Sequence, residues 1–144
     1  SADGIHVGAG DTPVEEIRRQ CGRDFIIGAT AKTVEQAKAA EAQGADYLGA
    51  GAVFSSSTKE NALRITKETL REICASVSIP VVAIGGIRQS NITELAGCGM
   101  CGFAVVSAIF AADDRKAAAE QLKRKAAALA AGSAASNERL WRTP

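Results

Sequence analysis

Charge of one sign is missing from this chain: 17 Lys and Arg stand against 16 Asp and Glu, for a net charge of +1. No global field exists to recruit nucleic acid or an acidic membrane surface, so any anion selectivity has to be local. Long apolar runs are missing too. The longest candidate, Phe103 to Ala112, has 10 residues and contains Ser107, against the roughly 20 that a membrane helix needs. A soluble, cytoplasmic protein with neither nucleic acid nor membrane as partner is expected. The cysteines, at 21, 74, 98 and 101, lack the spacing of a secreted disulfide framework and point to a reducing compartment. Histidine is reduced to His6, which leaves the Cys98-Gly99-Met100-Cys101 pair with too few partners for a tetrahedral zinc site. That pair also precedes a strand, so no helix N-terminus lowers a thiol pKa there. Neither a signal peptide nor an initiator Met stands at the front; the chain enters an apparent strand at Gly4.

What is present is a repeat. Strand-like apolar and glycine-rich runs begin at Gly4, Phe25, Asp46, Val81 and Gly102, each followed by a helical pattern. Thr12-Pro13 with Glu15 predicts a capping box and a proline at the first helical position, ahead of Val14, Ile17 and Cys21 on one face. Thr33 with Gln36 predicts the start of a second helix, and Leu70, Ile73, Cys74 and Val77 mark the buried stripe of a third over about 67–77. Ser90-Asn91 is expected to cap a short fourth helix with Ile92, Leu95 and Ala96 inward. The fifth, about 113–131, has Asp113 and Asp114 at its positive end, Lys123 to Lys125 towards its negative end, and Leu122, Ala126 and Leu129 on one face. Residues 133–144 read as a tail beyond a single domain over 1–132. Cys21 and Cys74 are expected in the core.

Five βα units with near-continuous apolar strands predict a parallel sheet covered by helices. Two architectures compete: a doubly wound sheet of flavodoxin type, which the 144-residue length favours, and a (β/α)8 barrel, which typically needs about 250 residues. In both, ligands bind at the carboxyl ends of the strands, so Asp11, Thr30, Ser55 to Lys59, Gly85-Gly86 and Ser107 should gather on one rim. Gly49 to Lys59 ends in three serines, Thr58 and Lys59; small residues, hydroxyls and an ammonium suit an anion, though such loops also merely turn the chain. Gly85-Gly86 either bares backbone N–H groups to a phosphate or makes a tight turn. Val106-Ser107 is the companion position on the next strand. Asp11 offers hard oxygen to Mg2+, or it faces a helix dipole. His6, on the opposite side of its strand from Ile5 and Val7, reads as a wall histidine more readily than as a catalytic base.

Taken together, Ala2 to Gly8 with Asp11, Ile26 to Thr33, Gly44 to Gly49, Ser55-Ser56-Ser57-Thr58-Lys59, Ile79 to Ile87 with Asn91, and Ala104 to Ile109 resemble the thiamine-phosphate synthase family. The resemblance implies five βα units of a TIM (β/α)8 barrel, a transferase fold that joins a pyrimidine-methyl diphosphate to a thiazole phosphate and releases pyrophosphate. It implies a Mg2+ ligand at Asp11, a hydroxyl on the pyrimidine diphosphate at Thr30, and the diphosphate lysine at Lys59. Ser56, Ser57, Thr58, Gly86, Val106 and Ser107 fall on the thiazole-phosphate contacts. In that chemistry, positive charge at the departing diphosphate is the catalytic term.

The chain departs from the family pattern at Gly8 to Asp11, where Gly-Gln-Glu-Asp is usual, at Thr30 and Lys32, where serine and histidine are usual, and at Ser55 to Lys59, where a proline is usual. The resemblance covers the last five strands of the barrel. It implies that the first three lie elsewhere, in a missing segment or another chain, and that this chain is inactive until they are supplied. Two further readings stand beside it: a thiazole tautomerase, disfavoured by Asp11 and the Thr58-Lys59 pair, and a non-catalytic phosphate-binding module.

Overall fold

A computed structural model describes residues 2–55 and 64–132. Along the chain run strand β1 (Gly4–Val7), helix α1 (Val14–Cys21), β2 (Ile26–Ala31), α2 (Val34–Ala42), β3 (Tyr47–Gly51), α3 (Lys67–Ser76), β4 (Val81–Ile84), a 3-10 turn (Ile92–Leu95), β5 (Gly102–Ala104), α4 (Ser107–Phe110) and α5 (Arg115–Gly132).

The strands form one parallel sheet in the order β1-β2-β3-β4-β5. A doubly wound sheet reverses its strand order at a switch point. There is no reversal here, which sets aside the architecture that chain length favoured. Parallel crossovers are right-handed, so steps taken always in one direction bring every helix to the same face. Burial alternates accordingly: Ile27, Ala29, Ala31, Leu48, Ala50, Val81 and Ala83 are buried, whereas His6, Thr30, Tyr47, Val82 and Ile84, on the other face, are exposed or half-buried. Leu70 and Ile73 of α3 and Leu122 of α5 complete the buried side, as the helical spacings predict.

Helix starts follow the sequence with informative shifts. Thr33 accepts from the Gln36 N–H at 3.2 Å, and the Gln36 side chain returns to the Lys32 N–H at 2.8 Å, one residue earlier than a capping box expects. Thr66 caps α3 through the Thr69 N–H at 3.1 Å. The box expected at Thr12 does not form. Pro13 is itself the N-cap of α1, without a side-chain cap, because Thr12 belongs to the preceding turn. At α5, Asp114 accepts from the Ala117 N–H at 2.9 Å and the helix begins at Arg115. Asn91 turns back instead of capping forwards, and the segment after it makes only a 3-10 turn, with Ile92 and Leu95 buried but Ala96 exposed. Cys21 is also exposed, being the last residue of α1 where the chain turns off through Gly22 at φ 78°.

Two polar clamps hold connections that the apolar pattern does not mark. The Arg18 guanidinium donates to the carbonyls of Gly22, Phe25 and Gly44, at 2.8, 2.7 and 2.7 Å, and to Asp46 at 2.6 Å. The same Asp46 oxygen accepts the Ile27 N–H at 2.6 Å. These bonds tie the end of α1 and the loop before β3 to the start of β2. Near the end of α2, Glu41 accepts from the Ser78 N–H at 2.8 Å, the Ser78 hydroxyl at 2.6 Å and the Ile79 N–H at 3.2 Å. The Ser78 hydroxyl and amide hold its carboxyl below the usual glutamate value.

Candidate functional site

The open face of the sheet carries a polar cluster built on aligned glycines. Strand register sets His6, Gly28 and Tyr47 in one row across β1, β2 and β3, and sets Thr30 beside Gly49. A Cβ on Gly28 would lie 2.1 Å from the Tyr47 ring and one on Gly49 would lie 3.1 Å from the His6 ring. Because neither side chain exists, Tyr47 reaches across β2 to His6 and places its hydroxyl 3.0 Å from Nδ1. The other ring nitrogen, Nε2, lies 3.1 Å from the Thr30 hydroxyl. The two rings are 5.4 Å apart and tilted by 37°. Burial lowers the His6 pKa from its ordinary 6.5, so the imidazole is neutral at pH 7.

His6 therefore points away from Ile5 and Val7, as expected, but it is satisfied by two partners that the sequence reading did not see. Tyr47 was missed altogether. Its signal was present as glycines inside strands at positions facing the same side as His6, since a strand glycine marks a close approach by another group.

At the end of β1 the chain makes a tight turn in which the Asp11 N–H donates to the Gly8 carbonyl at 3.1 Å and Asp11 Oδ2 accepts the Gly8 N–H at 2.7 Å. Asp11 is exposed and binds its own turn, which replaces the helix-dipole alternative. Its Oδ1 has no partner among the described residues, where no group of three or more His, Cys, Asp or Glu is gathered to hold a metal.

The ends of β3 and β4 are brought together. The Val53 N–H donates to Ile84 and the Phe54 N–H to Gly85, at 3.0 and 3.1 Å. Gly85 and Gly86 have φ of 99° and 63°, a region open mainly to glycine. A Cβ at Gly86 would meet the Ser55 carbonyl at 2.3 Å. Asn91 fixes this turn from below, accepting the Arg88 N–H at 2.8 Å and donating to the Gly86 carbonyl at 3.0 Å. Val106, exposed, and Ser107, half-buried, follow β5 at the entrance of α4. The parallel order sets all these strand exits on one side of the sheet. Thr30 is hydrogen-bonded to His6, and Gly86 lies against the Ser55 carbonyl; no hydrogen bond joins Asp11 or Ser107 to the others among the described residues. Ser56, Ser57, Thr58 and Lys59 lie outside the described residues.

The cysteine pair behaves as packing. Cys98 is buried and the Cys101 thiol donates to the Val81 carbonyl at 3.2 Å. Cys74 packs against Gly99, and burial, with Cys98 and Cys101 nearby, pushes its thiol up to about 12. Such thiols are poor nucleophiles.

Comparison with known proteins gives a consistent answer. The family model described as thiamine monophosphate synthase matches residues 1–109. Thiamine-phosphate synthase of Methanobrevibacter smithii is 48% identical over 124 residues, covering 86% of this chain and 59% of that protein. The thiamine-phosphate synthase of Ruminiclostridium cellulolyticum is 50% identical over 121 residues, covering 84% and 58%. Among solved structures, thiamine phosphate pyrophosphorylase from Pyrococcus furiosus superposes with a TM-score of 0.81 at 43% identity, over 89% of this chain and 61% of that one. The chain thus spans about three-fifths of the length of the relatives it matches.

Proposed function

This chain belongs to the thiamine monophosphate synthase family, and from that premise we propose that it carries much of the site of a thiamine-phosphate synthase. The reaction joins a pyrimidine-methyl diphosphate to a thiazole phosphate with release of pyrophosphate. The observation that carries the reading is the consecutive parallel order, which sets the Asp11 turn, Thr30, the Gly85-Gly86 turn and Val106-Ser107 at the carboxyl ends of neighbouring strands. The same order and one-sided helix layer support a finer reading of the sheet as five βα units of a (β/α)8 barrel.

In this reading the strand ends are divided between the two substrates. The Thr30 hydroxyl meets the pyrimidine diphosphate, and Lys59 sets an ammonium beside the same group. Ser56, Ser57, Thr58, Gly86, Val106 and Ser107 hold the thiazole phosphate. The left-handed glycines matter because side chains there would occupy the approach to the backbone. Asp11 would hold Mg2+ through one carboxylate oxygen: it is exposed and its Oδ1 is free of partners among the described residues, and a hard cation prefers carboxylate oxygen. When bound, Mg2+ would neutralise charge on the departing diphosphate.

The test is an assay with both substrates and Mg2+, following thiamine phosphate and pyrophosphate together, on this chain supplied with the three βα units that the barrel reading places elsewhere. Equal release of the two is expected, with Thr30→Val lowering kcat/KM by roughly tenfold or more through loss of a hydrogen bond to a charged group. Turnover of a thiazole precursor without the pyrimidine diphosphate would point to a tautomerase instead. Binding of thiazole phosphate with no binding of pyrophosphate would reduce the site to a phosphate-binding module.

A further inference from the structure

Three side chains on the open face are joined end to end, and the direction of their hydrogen bonds has a consequence for the ligand. A neutral imidazole carries one N–H, so one ring nitrogen donates and the other accepts. The chain Tyr47, His6, Thr30 therefore runs in one of two senses. In the first, the Tyr47 hydroxyl donates to Nδ1, Nε2–H donates to Thr30 Oγ1, and the Thr30 hydrogen is left to point outwards. In the second, Thr30 donates to Nε2, Nδ1–H donates to Tyr47, and Thr30 offers only lone pairs to whatever approaches it. An anion is attracted by the first arrangement and repelled by the second.

The physical chemistry selects the first. A phenol is a stronger acid than an aliphatic alcohol, hence the better donor, while the alcohol oxygen is the better acceptor. The 3.0 and 3.1 Å separations allow both bonds at once, and among the described residues the Thr30 hydroxyl has no other partner. Burial keeps the ring neutral at pH 7, which is what gives the tautomer its meaning. The missing side chains at Gly28 and Gly49 leave the space in which the chain assembles.

We propose that Tyr47 fixes the His6 tautomer with the proton on Nε2, and that His6 in turn aims the Thr30 hydroxyl hydrogen at a ligand phosphate oxygen. Tyr47 and His6 are then positioning residues, two and one bonds removed from the group that meets the ligand. The inference rests on the reading of Thr30 as a diphosphate contact. It goes beyond that reading by assigning the contact's polarity to a residue two strands away.

A single histidine makes the test direct. The full 144-residue chain labelled with 15N-histidine reports its tautomer through the two ring-nitrogen shifts at neutral pH, before and after addition of inorganic pyrophosphate with Mg2+. The Nε2–H form is expected in both states. Tyr47→Phe, which keeps the ring and removes only the hydroxyl, should mix the two tautomers and weaken pyrophosphate binding in proportion to the Nε2–H form lost, about twofold for an even mixture. An Nδ1–H tautomer in the parent chain overturns the proposal whatever binds, as does unchanged pyrophosphate affinity in Tyr47→Phe. The Nε2–H form without any pyrophosphate binding overturns the diphosphate reading of Thr30 while the direction of the chain stands.

Discussion

The two faces of the sheet use the same strands for opposite ends. On the covered face Ile27, Ala31, Leu48, Ala50 and Ala83 are wholly buried, and what matters is volume. On the open face the register places His6, Gly28, Thr30, Tyr47 and Gly49, and what matters is space left empty so that polar groups meet. A period of two lets one strand serve both, since neighbouring residues answer to different environments. The difference teaches that Gly28 and Gly49 are spacers for a neighbour's side chain, not weaknesses in the sheet.

The comparison breaks most visibly on the covered side. Leu48→Ala empties a site that the helices close, and is expected to lower unfolding free energy by about 3 kcal/mol, measured by urea denaturation. A loss under about 1 kcal/mol would mean that the covered face is not the core. Gly28→Ala probes the other side with a smaller stability effect, about 1 kcal/mol, the low end of overpacking, because the new methyl meets the movable end of the Tyr47 ring first. Pyrophosphate binding should fall with it, as Tyr47 is pushed off His6. If binding is kept while stability collapses, the open face is structural and the contrast between the two faces fails. The smallest effect belongs to the Glu41 clamp, outside both faces. Its carboxyl has a folded pKa below the ordinary 4.5, so its contribution is complete above that value and is lost as pH falls through the folded pKa. Glu41→Gln should remove this component of the acid response below pH 4.5, worth on the order of a few tenths of a kcal/mol after solvent screening, in pH-dependent melting curves.

Much of this was legible in the sequence because it depends on neighbours along the chain. Leu70 and Ile73 are buried as their spacing required, Thr33 caps its helix through Gln36, and five apolar runs became five parallel strands. Local signals failed where the path of the chain, and not residue type, decided what a side chain meets. Asn91 has the chemistry of a helix cap, yet the Gly86 carbonyl and the Arg88 amide take both ends of its amide. Cys21 has the right spacing for burial, yet it stands at the end of its helix where the chain turns away. Arg18 carries no mark in the helical pattern, and only the loops at Gly22 and Gly44 make it a clamp.

The sequence by itself determined the repeat, the faces of its helices and the family, since periodicity and short motifs are properties of adjacent residues. Tertiary structure alone decided the strand order, because a right-handed crossover can step either way along a sheet and nothing local says which. It also decided the meeting of Tyr47, His6 and Thr30. That cluster is set by register between strands some 20 residues apart in the chain, and register is fixed only when the covered face has packed.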